Sequence, residues 1–452
     1  MPKILNQQET PFINDISLEQ NINIHFKDAD ILLKISSISV LILIFLALFV
    51  PTVYKNIQIV FLLISFFVLS ILVFKKNLKW SKETLLASFT YSLFGLLYSL
   101  YGIIRNNPGA FPVLTVMFLW PLLYAFISPL MNQTKSLVWL TKIFLFTLTI
   151  IVFYTFYFFA HKVGFIHGWA YIKLNLKPRL SFYNGYIRYN LYNISSLFFL
   201  VPFAFNYAWF RLKEKKISKW LLLILLLSLI ISLFSGRKGL WVTIVLTPFL
   251  MGFSNLLLNK KWINIFNFNN LSINRNYLKY FIIPITIGFV FVLIGLHFNS
   301  ITMWNYFKSG FEFNNPNYSS AYSRGIQFRS LIKGWIDSNV IFGAGNGAVA
   351  SIIRLRTMPW AYELSYVNLL FSTGLVGCIF YFLWFLWGIL RLRNALNKRE
   401  DLLIYVIPIL TGIFGILIGN ATNPYIEKFD YLWIIFLPHL IAGGIKYQRI
   451  RK

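Results

Sequence analysis

Two adjacent basic residues interrupt a pair of long apolar runs. The runs at 221–234 and 240–257 are joined by the short link SGRKG at 235–239, which places Arg237 beside Lys238. An ionisable side chain at a membrane boundary is costly unless it meets water, an ion-pair partner or a ligand. A guanidinium binds phosphate oxygens through a planar fork, and nearby glycines let the backbone approach a ligand. The link therefore predicts an anionic ligand such as a lipid-linked diphosphate, whereas snorkelling of Arg237 to lipid headgroups is the simpler alternative.

A second basic segment has the sequence AYSRGIQFRSLIKGWIDS and predicts an amphipathic helix over 321–338. Arg324 and Phe328 fall at helical neighbour spacing, and so do Arg329 and Lys333. A helix lying on anionic headgroups is the simpler alternative to a ligand-binding helix. The glycine-rich turn GAGNG that follows lacks the preceding strand and following helix of a dinucleotide-binding fingerprint.

One carboxylate begins the next apolar run. Glu363 opens the sequence ELSYVNLLFSTGLVG, and Asn368 follows a little over one helical turn later. Glu363 is a candidate general base, and a helix-capping charge is the alternative. The other candidate proton acceptors predicted on the same side of the membrane are Glu312, Asp337, Glu427, Asp430, His161, His167 and His297. Glu427 and Asp430 belong to the link NATNPYIEKFD, which is predicted to be a solvated turn.

The composition determines which elements must position these residues. The chain has 452 residues, of which 58% are hydrophobic and only 12% charged. Soluble domains carry about twice that charged fraction, so the sequence predicts an all-α polytopic membrane protein. The single cysteine, Cys378, rules out a disulfide within the chain and a cysteine-based metal cluster. We expect no metal, no cofactor and no nucleic-acid partner.

Twelve apolar segments are long enough to span, or nearly span, the membrane core, which requires about 20 helical residues. They are predicted at 31–50, 57–74, 84–104, 110–130, 137–160, 189–210, 219–234, 239–257, 279–297, 363–390, 402–419 and 431–446. The polar segment 1–30 lacks the features of a cleavable signal and is predicted to be cytoplasmic. The basic links KKNLKWSK, RLKEKKISK and RLRNALNKRE and the tail at 447–452 then fall on the cytoplasmic side, as the positive-inside rule requires.

This topology divides the chain into a few regions. Residues 31–297 hold the first nine spans together with a first outer loop at 161–188, and residues 363–446 hold the last three spans. A large outer loop at 298–362 contains the amphipathic helix. The outer segments are rich in lysine and arginine, although basic residues normally favour the cytoplasmic side.

The order of these motifs resembles the O-antigen ligase and polymerase superfamily over about residues 170–390. The link SGRKG is similar to the family's small-residue turn around an arginine. Arg324, Phe328 and VIFGAGNG resemble its outer-loop arginine, aromatic residue and glycine turn, and RLSFYNGYIRYN resembles its first outer loop. The resemblance implies a GT-C-like architecture, a bacterial inner membrane and an active periplasmic face.

The resemblance also implies a reaction, which is metal-independent, inverting transfer of a glycan from undecaprenyl diphosphate. Glu363, Arg237 and Arg324 would then be catalytic, Glu363 as the base and the two arginines on the departing diphosphate. The implied substrate-binding residues are Lys238, Arg188, Arg179, Arg329, Asn368 and Tyr322. The implied partners are undecaprenyl diphosphate-linked oligosaccharides, membrane lipids and a chain-length regulator.

One departure from the family pattern bears on the acceptor. The ligases carry a histidine eleven residues before the glycine that corresponds to Gly374, and this chain has Glu363 there. The glutamate is more similar to a polymerase that joins lipid-linked repeat units. The alternatives are a ligase that transfers the glycan to lipid A-core, a lipid-linked oligosaccharide flippase, and a non-enzymatic scaffold on the outer face.

Overall fold

The computed structural model describes residues 31–76, 80–132, 135–174, 176–183, 186–258, 305–316, 319–397 and 399–450. The predicted cytoplasmic segment 1–30 and the predicted ninth span at 279–297, with His297, lie outside the described residues.

Helices make up most of the described chain, and most of them are long and apolar. They are α1 (Ile31–Phe49), α2 (Lys55–Lys76), α3 (Lys82–Ile104), α4 (Ala110–Asn132, with a π-helical turn at Thr115–Leu119), α5 (Ser136–Val163), α6 (Ile194–Lys213), α7 (Lys219–Phe234), α8 (Lys238–Leu258), α9 (Ser319–Ser338), α10 (Ser365–Leu396), α11 (Leu403–Asn420) and α12 (Phe429–Ile450). Within the described residues, seven helices are long and apolar enough to cross a membrane, and three shorter ones are also apolar. The described chain is therefore that of a mostly helical membrane protein. The count of twelve spans stays a prediction.

The first outer loop contains the one sheet found in the described residues. Strands β1 (Arg179–Tyr183) and β2 (Tyr186–Asn190) form an antiparallel hairpin. The prediction of a helix from residue 189 was therefore wrong at its N-terminus, because 189 and 190 belong to β2 and α6 begins at Ile194. The hydrophobic run carries no signal for where the strand ends.

Helices α6 and α11 pack closely at the centre of the bundle. A side chain on Gly415 of α11 would place its Cβ 2.2 Å from the carbonyl oxygen of Phe198, and Gly419 would clash with the ring of the same residue. Small residues at such positions let two membrane helices approach each other. The contact holds the N-terminal end of α6 beside the C-terminal end of α11.

A charged cluster joins three helices at one end of the bundle. Glu83, near the start of α3, accepts a hydrogen bond from Arg391 near the end of α10 at 2.9 Å and contacts Lys446 near the end of α12. Glu363 precedes the first residue of α10, Ser365. It therefore lies at the opposite end of the bundle from this cluster, as the predicted topology requires.

Helix α10 is broken at Gly374, which has φ 63° and ψ −165°. The glycine-rich turn before α10 enters this break. The amide of Ala344 donates to the carbonyl oxygen of Phe371 at 2.8 Å. The amide of Gly345 donates to the carbonyl oxygen of Ser372 at the same distance. The turn thus satisfies carbonyl groups that the broken helix leaves without a helical partner, a necessity for backbone inside a membrane protein.

The same turn is fixed to α3 and to the loop after it. The Asn346 amide donates to the carbonyl oxygen of Tyr98 at 3.1 Å, and its side chain donates to Ser99 Oγ at 3.1 Å. Asn107 Nδ2 donates to the carbonyl oxygen of Ala344 at 2.9 Å. The turn therefore connects α3 to α10 and sets where α9 and the first turn of α10 lie.

Gly347 provides a test of this connection. Its φ is +73°, and a Cβ would lie 2.1 Å from the carbonyl carbon of Gly109 and 2.2 Å from the amide nitrogen of Ala110. We expect Gly347→Ala to lower the free energy of unfolding by more than about 2 kcal/mol, measured by titration with SDS in mixed micelles.

Gly168→Ala is the matched control, because a Cβ there meets no atom within 4 Å. It should change stability by less than about 0.5 kcal/mol. Equal stability of the two variants would show that the turn is not held as tightly as described.

Candidate functional site

The β-hairpin presents polar residues from both of its strands on one face. Arg179 pairs with Asn190 and Ser181 pairs with Arg188, so these four side chains share a face of the two-stranded sheet. Arg188 Nε donates to Ser181 Oγ at 3.1 Å. Arg179 and Arg188 are both exposed, as residues that bind a ligand from solvent must be.

The link between α7 and α8 lies against this hairpin. Arg237 is half-buried, and its Nη2 donates to Asn190 Oδ1 at 3.0 Å. Gly236 has φ +62°, and a Cβ there would lie 2.3 Å from Cδ of Arg188. The stem of Arg188 therefore occupies the space that any side chain at 236 would need. This contact explains why residue 236, directly before Arg237, is a glycine.

Lys238 begins α8 and faces the large outer loop. Its Nζ donates to Ser309 Oγ at 2.7 Å and lies 4.3 Å from the centre of the Tyr306 ring. Arg188 and Arg324 are close enough to repel this ammonium group electrostatically, while Glu312 attracts it. The ammonium group is thus held by a hydroxyl and a ring face among other cations.

Glu363 is held between two guanidinium groups. Its Oε2 accepts from Arg324 Nε at 2.8 Å, and its Oε1 contacts Arg354. The Glu363 amide donates to Gln327 Oε1 of α9 at 3.3 Å. The N-cap of α10 is Leu364, without a side-chain capping bond, and the alternative of Glu363 as a charge at the helix N-terminus stays a prediction.

Tyr425 shows that the separate motifs converge. Its side chain is buried, and burial raises the pKa of its hydroxyl. The positive charges of Arg237 and Arg324 are near enough to lower the pKa of Tyr425, and the negative charge of Glu363 raises it. The charges of the three residues predicted to be catalytic therefore all act on one tyrosine.

The exposure of the carboxylates between α11 and α12 differs from the predicted one. Asp430 is only 2% exposed and accepts a hydrogen bond from the Thr52 amide at 3.0 Å, and Glu427 is half-buried. The prediction of a solvated turn was wrong for Asp430, because its carboxylate packs against the amide of Thr52 in the link between α1 and α2. Lys428 alone among these charged residues is exposed.

The remaining predicted residues have different positions. Asn368 is half-buried in the first turn of α10. Arg329 is exposed and donates to Asn314 Oδ1, while Tyr322 is half-buried on α9, two residues before Arg324. Residues two apart on a helix point in different directions. The geometry thus gives Arg329 and Tyr322 no direct contact with the convergent group.

Two cavities lie near this end of the bundle without including the convergent residues. One, of about 600 Å³, is lined by Arg105, Lys333 and Asp337 together with the glycine-rich turn. The other, of about 700 Å³, lies beside Thr52, Lys173 and Tyr192. The candidate site is therefore recognised by its charges and contacts and not by its volume.

The candidate site has few acidic or histidine ligands. Within the described ranges, no three residues among His, Cys, Asp and Glu are grouped as a metal site would require. The predicted independence from metal stays a prediction.

The fold and the site together define a helical membrane protein with a cation-rich site at one end of its bundle. No protein-family model matches the chain, and no curated protein or solved structure matches it significantly. The resemblance described above therefore rests on the sequence motifs alone.

The ion pair between Arg324 and Glu363 can be tested by a double-mutant cycle. Their side chains are 21% and 13% exposed, so solvent screens the pair only in part. We expect Arg324→Gln and Glu363→Gln to show an interaction energy of about 1 kcal/mol or more in the free energy of unfolding.

The control cycle uses Arg211 and Glu214, a pair that is 27% and 43% exposed at 3.1 Å. An exposed helical pair should contribute no more than about 0.5 kcal/mol. If the two cycles give the same interaction energy, Glu363 does not anchor Arg324.

Proposed function

We propose that this protein is a polymerase of O-antigen or a related surface polysaccharide. It joins undecaprenyl diphosphate-linked repeat units on the periplasmic face of the bacterial inner membrane. The observation that carries the proposal is the ion pair between Arg324 and Glu363, whose charges act on Tyr425 together with that of Arg237. The motifs that carry these residues are far apart in the sequence and are the same ones that resemble the polymerase family.

The charge of the site suits two lipid diphosphates. The cations near the convergent group are Arg188, Arg237, Lys238, Arg324, Arg354 and Lys428. Arginine binds a diphosphate through two parallel hydrogen bonds, which also set the orientation of the bound group. We assign Arg237 and Arg324 to the donor diphosphate, with Lys238 and Arg188 beside them.

The proposed reaction is a single displacement. The hydroxyl oxygen of the acceptor repeat unit attacks the anomeric carbon of the donor glycan, a new glycosidic bond forms, and the hydroxyl proton passes to the carboxylate of Glu363. The bond between that carbon and the diphosphate oxygen breaks, and its electron pair leaves with the undecaprenyl diphosphate. Arg237 and Arg324 stabilise the charge that develops on the departing oxygen, a preorganised role that is worth several kcal/mol in other enzymes. The anomeric configuration is inverted.

Glu363 has a structural reason to belong to this site. Both of its oxygens meet guanidinium groups, so it holds Arg324 and Arg354 at defined positions before a ligand arrives.

Two alternatives differ from the proposal in ways that can be measured. A ligase has the same donor but needs lipid A-core as its acceptor. A flippase is expected to bind its substrate near the middle of the membrane. The cations described here favour the enzyme, because they lie at helix ends and in loops.

The proposal is tested with purified protein and defined undecaprenyl diphosphate-linked repeat units, without nucleotide sugar. We expect chains of several repeats, and Arg237→Lys should lower the rate about 100-fold because an ammonium group cannot form the planar fork. Arg211→Lys at the opposite end of the bundle is the control and should retain the wild-type rate. A requirement for lipid A-core would favour the ligase, and an Arg237→Lys rate near wild type would exclude the role in diphosphate binding.

Glu363→Gln gives a second test of the site. We expect its rate to fall at least tenfold, because Arg324 and Arg354 lose the carboxylate that positions them against the leaving group. Initial rates and membrane yield are measured together. Normal polymerisation by a well-folded Glu363→Gln protein would remove Glu363 from the site.

A further inference from the structure

The cavity of about 700 Å³ at this end of the bundle is built from three stretches of chain. They are the link between α1 and α2, the loop before β1, and the turn between β2 and α6. Neither Arg324 nor Glu363 lines it, so it is a feature separate from the candidate site. Its polar lining residues are Thr52, Tyr54, Lys173, Lys177 and Tyr192.

The lining of this cavity carries positive charge. Lys173 and Lys177 are both exposed, and no Asp or Glu is among the described residues that line the cavity. In the same part of the chain neither lysine forms an ion pair with a carboxylate. Two ammonium groups that share a cavity without a carboxylate repel each other, and an anion bound between them removes that repulsion.

Both lysines belong to chain segments that are fixed by hydrogen bonds. The Ile172 amide, directly before the first lysine, donates to Tyr157 Oη of α5 at 2.8 Å. The Tyr192 amide donates to the carbonyl oxygen of Leu176 at 3.2 Å. Lys177 Nζ lies 5.6 Å from the centre of the Tyr192 ring. The cavity therefore has its shape before a ligand arrives, as binding sites for small molecules usually do.

Unusual backbone conformations are concentrated at this cavity. Among the described residues, five other than glycine have a positive φ. Three of them line the cavity, namely Thr52 at 64°, Tyr54 at 53° and Lys177 at 44°. A left-handed φ is sterically disfavoured for a β-branched residue such as threonine, and here the Thr52 amide is held by the buried carboxylate of Asp430 at 3.0 Å. Such conformations persist where the surrounding structure enforces them, often at ligand sites.

The position of the cavity along the bundle corresponds to lipid headgroups. Helix α1 ends at Phe49 and α2 begins at Lys55, so the link between them lies where two apolar helices end. Lipid phosphates lie directly outside the hydrocarbon core that such helices cross. A ligand in this cavity is therefore at the depth of a lipid phosphate.

An apolar face of α2 begins next to the cavity. Ile57, Val60, Ile64 and Phe67 are exposed and follow one another at intervals of three or four residues, so they share one face of the helix. The Ile57 amide donates to the carbonyl oxygen of Tyr54 at 2.9 Å, which places the start of this face beside the lining. A pair of cations beside an apolar helix face matches a molecule with a charged head and a hydrocarbon chain.

We propose that this cavity binds the phosphate headgroup of a lipid, with Lys173 and Lys177 on the phosphate oxygens and the hydrocarbon chain along the exposed face of α2. The inference goes beyond the proposed polymerase and does not depend on it, because lipid binding requires no glycosyl transfer. An anionic phospholipid and undecaprenyl diphosphate offer the same phosphate chemistry, and the experiment separates them.

The experiment counts the lipid molecules bound to full-length purified protein in detergent by native mass spectrometry. The probes are phosphatidylglycerol, undecaprenyl diphosphate and the zwitterionic phosphatidylcholine. We expect at least one of the two anionic lipids to bind the wild type about tenfold or more tighter than phosphatidylcholine. The double variant Lys173→Gln/Lys177→Gln should bind one molecule of that lipid fewer, because each lysine near a lipid phosphate contributes on the order of fivefold in affinity.

Two control variants accompany this measurement. Lys215→Gln/Lys219→Gln removes the same charge from the exposed link between α6 and α7, at the opposite end of the bundle, and should keep the wild-type binding. Lys173→Arg/Lys177→Arg keeps the charge and should bind within about threefold of the wild type. Size-exclusion profiles show whether each variant is folded. If the double glutamine variant is not folded, the two single glutamine variants decide the result, each with about fivefold weaker binding expected.

The identity of the lost lipid assigns the source of the phosphate. Loss of undecaprenyl diphosphate makes the cavity a site for a lipid-linked substrate, and loss of phosphatidylglycerol makes it a site for a bilayer lipid. Both results support the proposal. Unchanged binding of both anionic lipids by the double glutamine variant overturns it, and so does an equal loss in the Lys215→Gln/Lys219→Gln control, which would trace the effect to net charge. Phosphatidylcholine bound as tightly as the anionic lipids overturns it as well.

The outcomes for the polymerase are independent of these. A wild type that binds the lipid in the cavity but does not elongate defined repeats overturns the polymerase proposal alone. A wild type that elongates repeats, with lipid binding that does not depend on the two lysines, overturns the lipid site alone.

Discussion

The hydrogen bonds between the glycine-rich turn and the broken helix α10 determine the arrangement of this end of the protein. A membrane helix interrupted at Gly374 exposes backbone groups that lipid cannot satisfy. The turn supplies partners on both sides of the break, since the Leu375 amide also donates to the carbonyl oxygen of Val340 at 3.2 Å. The helix that carries Arg324 and the first turn of α10, which Glu363 precedes, are both connected to this turn. Their relative position is therefore set by backbone bonds and not by the charged side chains themselves.

The charged side chains have a different role. Several cations lie at one end of the bundle with few carboxylates among them, and cations brought together without a ligand repel one another. Glu363 offsets part of this repulsion through its contacts with Arg324 and Arg354. An arriving diphosphate would supply the remaining negative charge. The site thus suits an anionic ligand because its own residues leave the positive charge only partly balanced.

The sequence predicted the features that depend on local pattern. Apolar run length located most helices to within a few residues, and helical spacing predicted α9 from residue 321, where the structure begins it at Ser319.

The features that depend on distant contacts were not predictable in this way. Arg354 lies in irregular chain with no periodicity to orient it, and its contact with Glu363 follows only from the fold. The link around Glu427 has the composition of a solvated turn, yet Tyr425 within it is buried and Glu427 is half-buried. Strand β2 took residues 189 and 190 from the predicted start of α6, because the pairing of Tyr189 and Asn190 with β1 depends on a contact that the sequence pattern does not show.

The position of the glycine-rich turn in the chain also bears on the order of assembly. The turn precedes α10, so its backbone groups are already synthesised when the two halves of that helix enter the membrane. Its other partners lie much earlier, as Asn346 and Ser99 are 247 residues apart in sequence. Contacts between such distant residues form slowly, since a large loop must close first. We therefore expect the docking of the outer loop onto α3 to be a late step of biogenesis. Nascent chains that stop short of that step would display an unfinished helix and an uncovered loop, which are features that membrane chaperones and proteases can recognise.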